Sequence, residues 1–263
     1  MRILFVSHRF PYPPNEGGKI RAYHIIRHLA KRHEVSVASI CRNDSELAAA
    51  RGMAGQCHEF FAARVNEPVQ LVRTALRMLG TEPLSMGYFH SRELARWIDA
   101  KAREKPFDLA FVHSSSAAQY VEHLQGLPKI LDFCDMDSQK WQEYARYRSF
   151  PMSLVYGLEG RRLEREERRL GRVFDLSTVA TAGELETLRA FGLAERSDWF
   201  PNGVDAEYFA PEGTDAEPCL LSFIGRMDYF PNEACMVEFC RTTLPRIRQQ
   251  HAEARIVIVG ANP

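Results

Sequence analysis

The chain has 263 residues, 45% hydrophobic and 26% charged, with 34 Lys plus Arg against 34 Asp plus Glu. That length accommodates two ordinary domains, and the composition is that of a water-soluble globular protein. The balanced charge offers nucleic acid no general attraction, and no apolar run is long enough to span a bilayer. The six cysteines form no C-x-x-C pair, and several lie in apolar runs, as reduced core cysteines do. A cytoplasmic, disulfide-free protein is expected, and the short apolar N-terminus does not read as a signal peptide.

In chain order, Arg2 to Ser7 reads as a strand buried on both faces of a parallel sheet. From Ile20 to Lys31 the period turns helical, with Ala22, Ile25, Ile26 and Leu29 on one face. Glu34 to Ile40 is the next strand, Asn43 to Arg51 a short helix, and Cys57 to Ala62 the third strand. Helices follow over Pro68 to Leu79 and Ser91 to Lys105, then a strand over Asp108 to His113 and a helix over Ser115 to Leu124. Lys129 to Phe133 is the fifth strand, Ser138 to Arg148 and Met152 to Arg172 are helical, and Phe174 to Ala180 is a strand. Gly183 to Phe191 is a helix and Ser197 to Phe200 a short strand. This alternation predicts an α/β fold on a parallel, Rossmann-like sheet.

Pro201-Asn202-Gly203-Val204 is a sharp turn, and Asp205 to Pro218 is rich in proline, glycine and acid, the composition of a linker. Beyond it lie a strand, Leu220 to Ile224, then Gly225-Arg226, a helix, and a strand, Ile256 to Val259. The predicted division is a first domain over 1–205, a linker over 206–218 and a second Rossmann-like domain begun over 219–263. One βαβ unit covers neither sheet face, so the chain reads as a fragment of a two-domain protein.

Three constellations can carry chemistry. Gly17-Gly18 follows the first strand through a proline-stiffened loop that holds His8, Arg9 and Tyr12. Glycine lets backbone approach an anion at a helix N-terminus, and Lys19 and Arg21 add positive charge nearby. A plain strand-to-helix turn is the competing reading, since the spacing is not GxGxxG. Asp135-x-Asp137 follows the fifth strand, where open α/β sheets bind ligands. Read alone it could hold a divalent metal, although Asp137 or Ser138 could equally cap the next helix; Asp135 is the better catalytic candidate. His113, ending the fourth strand, could serve the acceptor site or be structural, and its serine neighbours lack a nucleophile elbow. Two helices read as ordinary surface. Val69 to Met78, with Arg73 and Arg77, is expected to pack on its own sheet rather than on a membrane. Arg161 to Leu170 is expected to be a solvated helix laced with ion pairs.

Together these residues resemble a known family. The opening Ile3 to His8, Pro11 to Pro14 and Gly17-Gly18 resemble the start of a GT-B glycosyltransferase of the family 4 type. Pro201 to Asp205 is similar to that family's interdomain signature, and Phe223 to Asn232 to the first strand and loop of its donor domain. Leu244 to Ile247 and Ile256 to Gly260 extend the likeness, and Asp132 to Trp141 points to the sugar transferases of PEP-CTERM/exosortase-associated exopolysaccharide systems.

The resemblance implies retaining, hexosyltransferase-like transfer from a nucleotide-sugar donor to a glycan or lipid-linked acceptor. It implies no metal and no other cofactor, and a peripheral contact with the inner membrane at most. It assigns catalytic roles to Asp135 and His113. Donor contacts fall to Gly17, Gly18, Asn202, Gly225 and Arg226, and acceptor contacts to His8, Arg9 and Tyr12. Where many members carry a lysine six residues after the arginine, this chain has Asn232, and the donor-domain Glu pair and nucleotide loop are expected beyond Pro263. The polypeptide alone is therefore expected to be inactive. A nucleotide-sugar 2-epimerase and a truncated, non-catalytic binding module are the alternatives.

Overall fold

A computed structural model describes the whole chain except residues 79, 211, 212, 214, 215 and 261–263. The predicted helix end at Leu79, part of the predicted linker and the last residues of the predicted second domain thus lie outside the described residues. The chain divides into two compact units, Met1–Gly203 and Val204–Pro263.

In the first unit the elements are β1 (Arg2–Ser7), α1 (Gly17–Ala30), β2 (Glu34–Cys41), α2 (Asp44–Ala50) and β3 (Glu59–Arg64). Then come α3 (Glu67–Arg77), α4 (Leu84–Tyr88), α5 (Arg92–Glu104), β4 (Leu109–His113) and β5 (Lys129–Cys134). The unit ends with α6 (Asp137–Tyr147), α7 (Met152–Val173), β6 (Leu176–Val179), α8 (Ala182–Ala190) and β7 (Ser197–Trp199). The seven strands are parallel, in the order β3-β2-β1-β4-β5-β6-β7. Chain order reverses between β1 and β4, which opens a crevice at their C-terminal ends.

The sheet is covered on both sides because its strands are apolar on both sides. Ile3, Phe5, Val35 and Val37 pack with Ala22 and Ile26 of α1. Leu4, Val6, Ala38 and Ile40 pack with Leu94 and Ile98 of α5, Leu170 of α7 and Leu188 of α8. Each such side chain contributes about 1.5–3 kcal/mol by leaving water. Asn43, Ser91 and Thr181 start their helices by accepting from the amides of Glu46 (2.8 Å), Leu94 (3.3 Å) and Glu184 (3.2 Å).

Several expectations are corrected. Ser115 to Leu124 is not an α-helix but a 3₁₀ stretch over Ser115–Tyr120. Its serines and alanines are buried, and so small a set of side chains lies flat on the sheet rather than presenting a solvent face. Neither Asp137 nor Ser138 caps α6 with its side chain. Glu184 and Glu167 do so from outside, accepting from the amides of Met136 (3.0 Å) and Ser138 (3.0 Å). The apolar face of α3 does not pack on the sheet: Leu71, Val72 and Leu76 are 60%, 61% and 69% exposed.

The charged stretch of α7 is only partly solvated. Arg168–Glu164 and Arg169–Glu166 form surface pairs at 2.9 and 2.6 Å, as the spacing predicts. Glu159, Arg162 and Glu167, however, are buried. Glu159 accepts from the amides of Leu84 (2.7 Å) and Ser85 (3.0 Å), at the start of α4. Arg162 donates to the carbonyls of Arg77 (3.3 Å), Met78 (2.9 Å), Gly80 and Glu82 (3.3 Å), at and beyond the end of α3. An anion at a helix start and a cation at a helix end are what the backbone dipoles favour.

The second unit holds β8 (Leu220–Ile224), α9 (Phe230–Glu238), a π-helical stretch over Phe239–Thr243, α10 (Leu244–Arg248) and β9 (Arg255–Val259). β8 and β9 pair in parallel. Met236, Leu244 and Ala254 are buried, while Ile224, Val257 and Val259 are exposed. Gly260 closes on the Gly225 backbone at a φ of 151°, where no side chain fits. Among the described residues, no helix is long and apolar enough to cross a membrane.

Glu167 makes the stability of the first unit pH-dependent. Burial, with Asp137 and Glu164 nearby, pushes its carboxyl up to about 8. The folded chain then holds a proton that the unfolded chain has released, so this group's contribution to stability is greatest at acid pH. It falls by up to about 1.4 kcal/mol per pH unit between about 5 and 8. Glu167→Gln keeps the acceptor for Ser138 and should flatten that slope in urea melts at several pH values; an unchanged slope would assign it elsewhere.

Candidate active site

The site lies at the C-terminal ends of β1, β4, β5 and β6. Its centre is Asp132, which is fully buried. Arg21, from the second turn of α1, grips it with two parallel bonds, Nε to Oδ2 and Nη2 to Oδ1, each 3.0 Å. His113 Nδ1 lies 2.9 Å from Oδ2, and the Thr178 hydroxyl donates to Oδ1 at 3.0 Å. Burial alone would raise this carboxyl, but hydrogen bonds from His113 and Arg21 outweigh it and hold Asp132 down at about 2. The third guanidinium nitrogen reaches outward: Nη1 donates to the Phe200 carbonyl (3.1 Å) and to Asn202 Oδ1 (2.9 Å). Arg21 Cζ also stands 3.9 Å above the Phe200 ring.

His8 sits above this knot, partly enclosed. Its ring lies 6.2 Å from His113 and edge-on to Phe89 at 5.0 Å, and its Nδ1 is buried without a partner. Enclosure, with His113 and Arg9 adding repulsion, pulls its imidazole down to about 3, so it is neutral at physiological pH. Arg9 is paired with Glu16 at 2.9 Å. Tyr12 packs on Tyr23 and fills the space over Gly52.

Gly17 and Gly18 open α1. Both are exposed, a side chain at either would meet nothing within 4 Å, and α1 has no side-chain cap. Nothing within the described residues requires glycine there, and an uncapped helix start leaves first-turn amides of the kind that anions use. The expected positive charge beside them is spent inside the protein. Arg21 serves Asp132, and buried Lys19 faces Glu46 at 3.7 Å.

The β4 and β5 ends turn on residues with left-handed backbones, Ser114 (φ 80°) and Cys134 (φ 65°). Such turns cluster at functional sites. The second one presents Asp135, exposed, while His113 is only 2% exposed. In the second unit Arg226 forks onto Asp228 at 3.0 and 2.6 Å, and Asn232 fixes the loop by donating to the Arg226 carbonyl at 2.9 Å. Gly225 sits against the Phe223 ring and Asn232.

The first unit thus gathers His8, His113 and Asn202 around a centre, Asp132 with Arg21, that sequence reasoning did not assign, while Arg9 turns to Glu16. The available signal was an aspartate inside an otherwise apolar buried strand. Among the described residues, one group brings metal-type ligand atoms within 4.8 Å of one another: Cys219, His251 and Glu253 in the second unit. It is not near Asp135 or Asp137 in sequence, and its thiol already donates to Glu253 at 3.2 Å.

A parallel sheet with this strand order and a crevice at its switch point defines a Rossmann-like domain. HepE of Anabaena, solved with UDP-glucose, matches all of the chain over 70% of its own length at TM-score 0.55 and 12% identity. Sucrose-phosphate synthase of Thermosynechococcus elongatus matches 99% of the chain over 70% of its own length at TM-score 0.58 and 11% identity. No curated protein sequence matches. Residues 16–203 match the glycosyl transferase 4-like domain, and the chain belongs to that family.

The knot sets a clear cost. Asp132→Ala leaves Arg21 buried without its counter-charge and should destabilise the chain by about 3–5 kcal/mol in urea unfolding. A loss below about 1 kcal/mol would mean that the pair is open to water.

Proposed function

We propose that the chain is a nucleotide-sugar-dependent, hexosyltransferase-like glycosyltransferase that builds exopolysaccharide with retention at the anomeric carbon. The observation that carries the reading is the bare glycine turn at the start of α1, exposed beside the strand-order switch and unexplained by any contact within the described residues. HepE, with a similar fold, was solved with UDP-glucose, and the proposed donor is of that chemical type.

In this reading the Gly17 and Gly18 amides, with Asn202, are the first unit's contacts to the donor phosphates, and Gly225 is a donor contact of the second unit. Arg226 exchanges Asp228 for the diphosphate. The bond from the anomeric carbon to the diphosphate oxygen breaks, the bond to the acceptor oxygen forms on the same face, and the acceptor proton passes to the leaving phosphate. The charge that develops is met by hydrogen-bond donors such as the Arg226 guanidinium, with no metal or other cofactor invoked. Asp135 places the reacting sugar. His113 is too buried to touch substrate and acts as a positioning residue behind His8. His8 and Arg9 face the acceptor, while Tyr12 shapes the loop that carries them.

The acceptor is lipid-linked in this proposal, and the support is α3. Its exposed Val69, Leu71, Val72, Leu76 and Met78 form the apolar face of an interfacial helix. Its partner α4 leads to Phe89, which stands on His8. The chain would rest on the cytoplasmic face of the inner membrane.

Two measurements test this. With UDP-, GDP- and TDP-sugars and a polyprenyl-diphosphate acceptor, the full-length gene product should transfer sugar, and Arg226→Ala in it should raise the donor KM about tenfold, roughly 1.4 kcal/mol. A changed sugar without acceptor would favour the 2-epimerase, and no turnover the binding module. Leu71→Asp with Leu76→Asp should abolish sedimentation with anionic phosphatidylglycerol vesicles without lowering the melting temperature. Retained sedimentation would remove α3 from the membrane contact.

A further inference from the structure

The Arg21 guanidinium does more than neutralise Asp132. Nε and Nη2 satisfy the carboxylate. Nη1 instead reaches two residues beyond β7, the Phe200 carbonyl and the Asn202 side chain. The Phe200 ring lies under the same guanidinium. Gly203, immediately after, is the last residue of the first unit. The segment that these contacts hold is otherwise weakly anchored: β7 is three residues long and at the sheet edge, and 201–205 are exposed. Among its backbone bonds in this stretch, Phe200 donates to Val179 at 3.1 Å.

We infer that Arg21 is a latch: anchored on Asp132, it fixes residues 200–202 and so sets the point and direction from which the chain leaves the first unit. The charge of Arg21 is already met by Asp132, so the contacts past β7 are an added function of the same side chain. Arg21 lies three residues after Gly18 on α1. A single helix turn thus joins the glycine turn to the exit segment. Asn202 has its oxygen committed to this latch, which leaves its amide nitrogen for other contacts. The inference stands whether or not the chain transfers sugar, because its test reads motion and not turnover.

The test is ¹⁵N relaxation of the backbone amides, comparing the unaltered chain with Asn202→Ala, Asn202→Asp and Arg21→Lys. In the unaltered chain, Asn202 and Gly203 should show order parameters near those of the sheet, about 0.85. Asn202→Ala removes the accepting oxygen and should drop Gly203 below about 0.6, with β1 and β4 unchanged. Asn202→Asp keeps an acceptor for Arg21 and should restore rigidity. Arg21→Lys keeps the charge but cannot fork, and should loosen the same residues; if it does not fold, the Asn202 pair decides alone. The latch is refuted if Gly203 is mobile in the unaltered chain, if Asn202→Ala leaves it rigid, or if Asn202→Asp fails to rescue.

Discussion

A carboxylate with no access to water sits at the end of β5, and the first unit is arranged around its needs. Left alone, Asp132 would be protonated or would unfold its surroundings, because burial disfavours its charge. Arg21, His113 and Thr178 together occupy its two oxygens. Each partner comes from a different element: α1, the end of β4 and β6. The geometry therefore fixes α1, with its open glycine turn, against three strand ends at once. Such a buried pair is weak evidence for stability, since well-packed apolar residues can do as well. What it supplies here is position, in a crevice where the fold itself leaves the backbone ends unsupported.

The sequence pattern revealed most of the first unit because its strands are buried on both faces and therefore apolar throughout. β1, β2, β4 and β5 lie within two residues of their expected bounds. What escaped is what periodicity does not encode. The Ser115–Tyr120 segment has helix-compatible residues, but it is held flat on the sheet, and Tyr120 accepts from Ser91 and donates to Phe89. The short α4 was not read at all, since five residues carry no period, and both ends of its hairpin are stabilised from a distant helix. The same holds in the site. His8, Arg9, His113 and the glycine turn could be placed from their positions after strands. Asp132 was visible only as a charge in an apolar strand, and its partner Arg21 is 111 residues away.

α7 shows why charge patterns mislead. Its arginines and glutamates look alike along the chain, yet they divide between two environments. Arg168 and Arg169 make local surface pairs of small worth. Glu159 and Arg162 are buried because the α3–α4 hairpin brings free amides and free carbonyls to them. The hairpin is thus held by its ends rather than by its face. That arrangement explains an otherwise costly feature, a helix that keeps Leu71, Val72 and Leu76 in water. A helix secured by its own apolar stripe could not also present that stripe.

The two anchoring schemes have a common logic. In both, a buried charge on one element satisfies backbone or side-chain groups at the loose end of another: Arg162 at the end of α3, Arg21 at the end of β7. Apolar packing cannot do this, because exposed ends have too little surface to bury. Hydrogen bonds to a charged group are worth more than neutral ones and are directional. They hold a segment at a point while leaving its outer face free. The segments so held, α3 and the turn at 200–203, are both largely exposed. The rigid sheet carries the interior groups His113 and Asp132. These exposed segments are fastened to the interior of the unit by single arginines and glutamates.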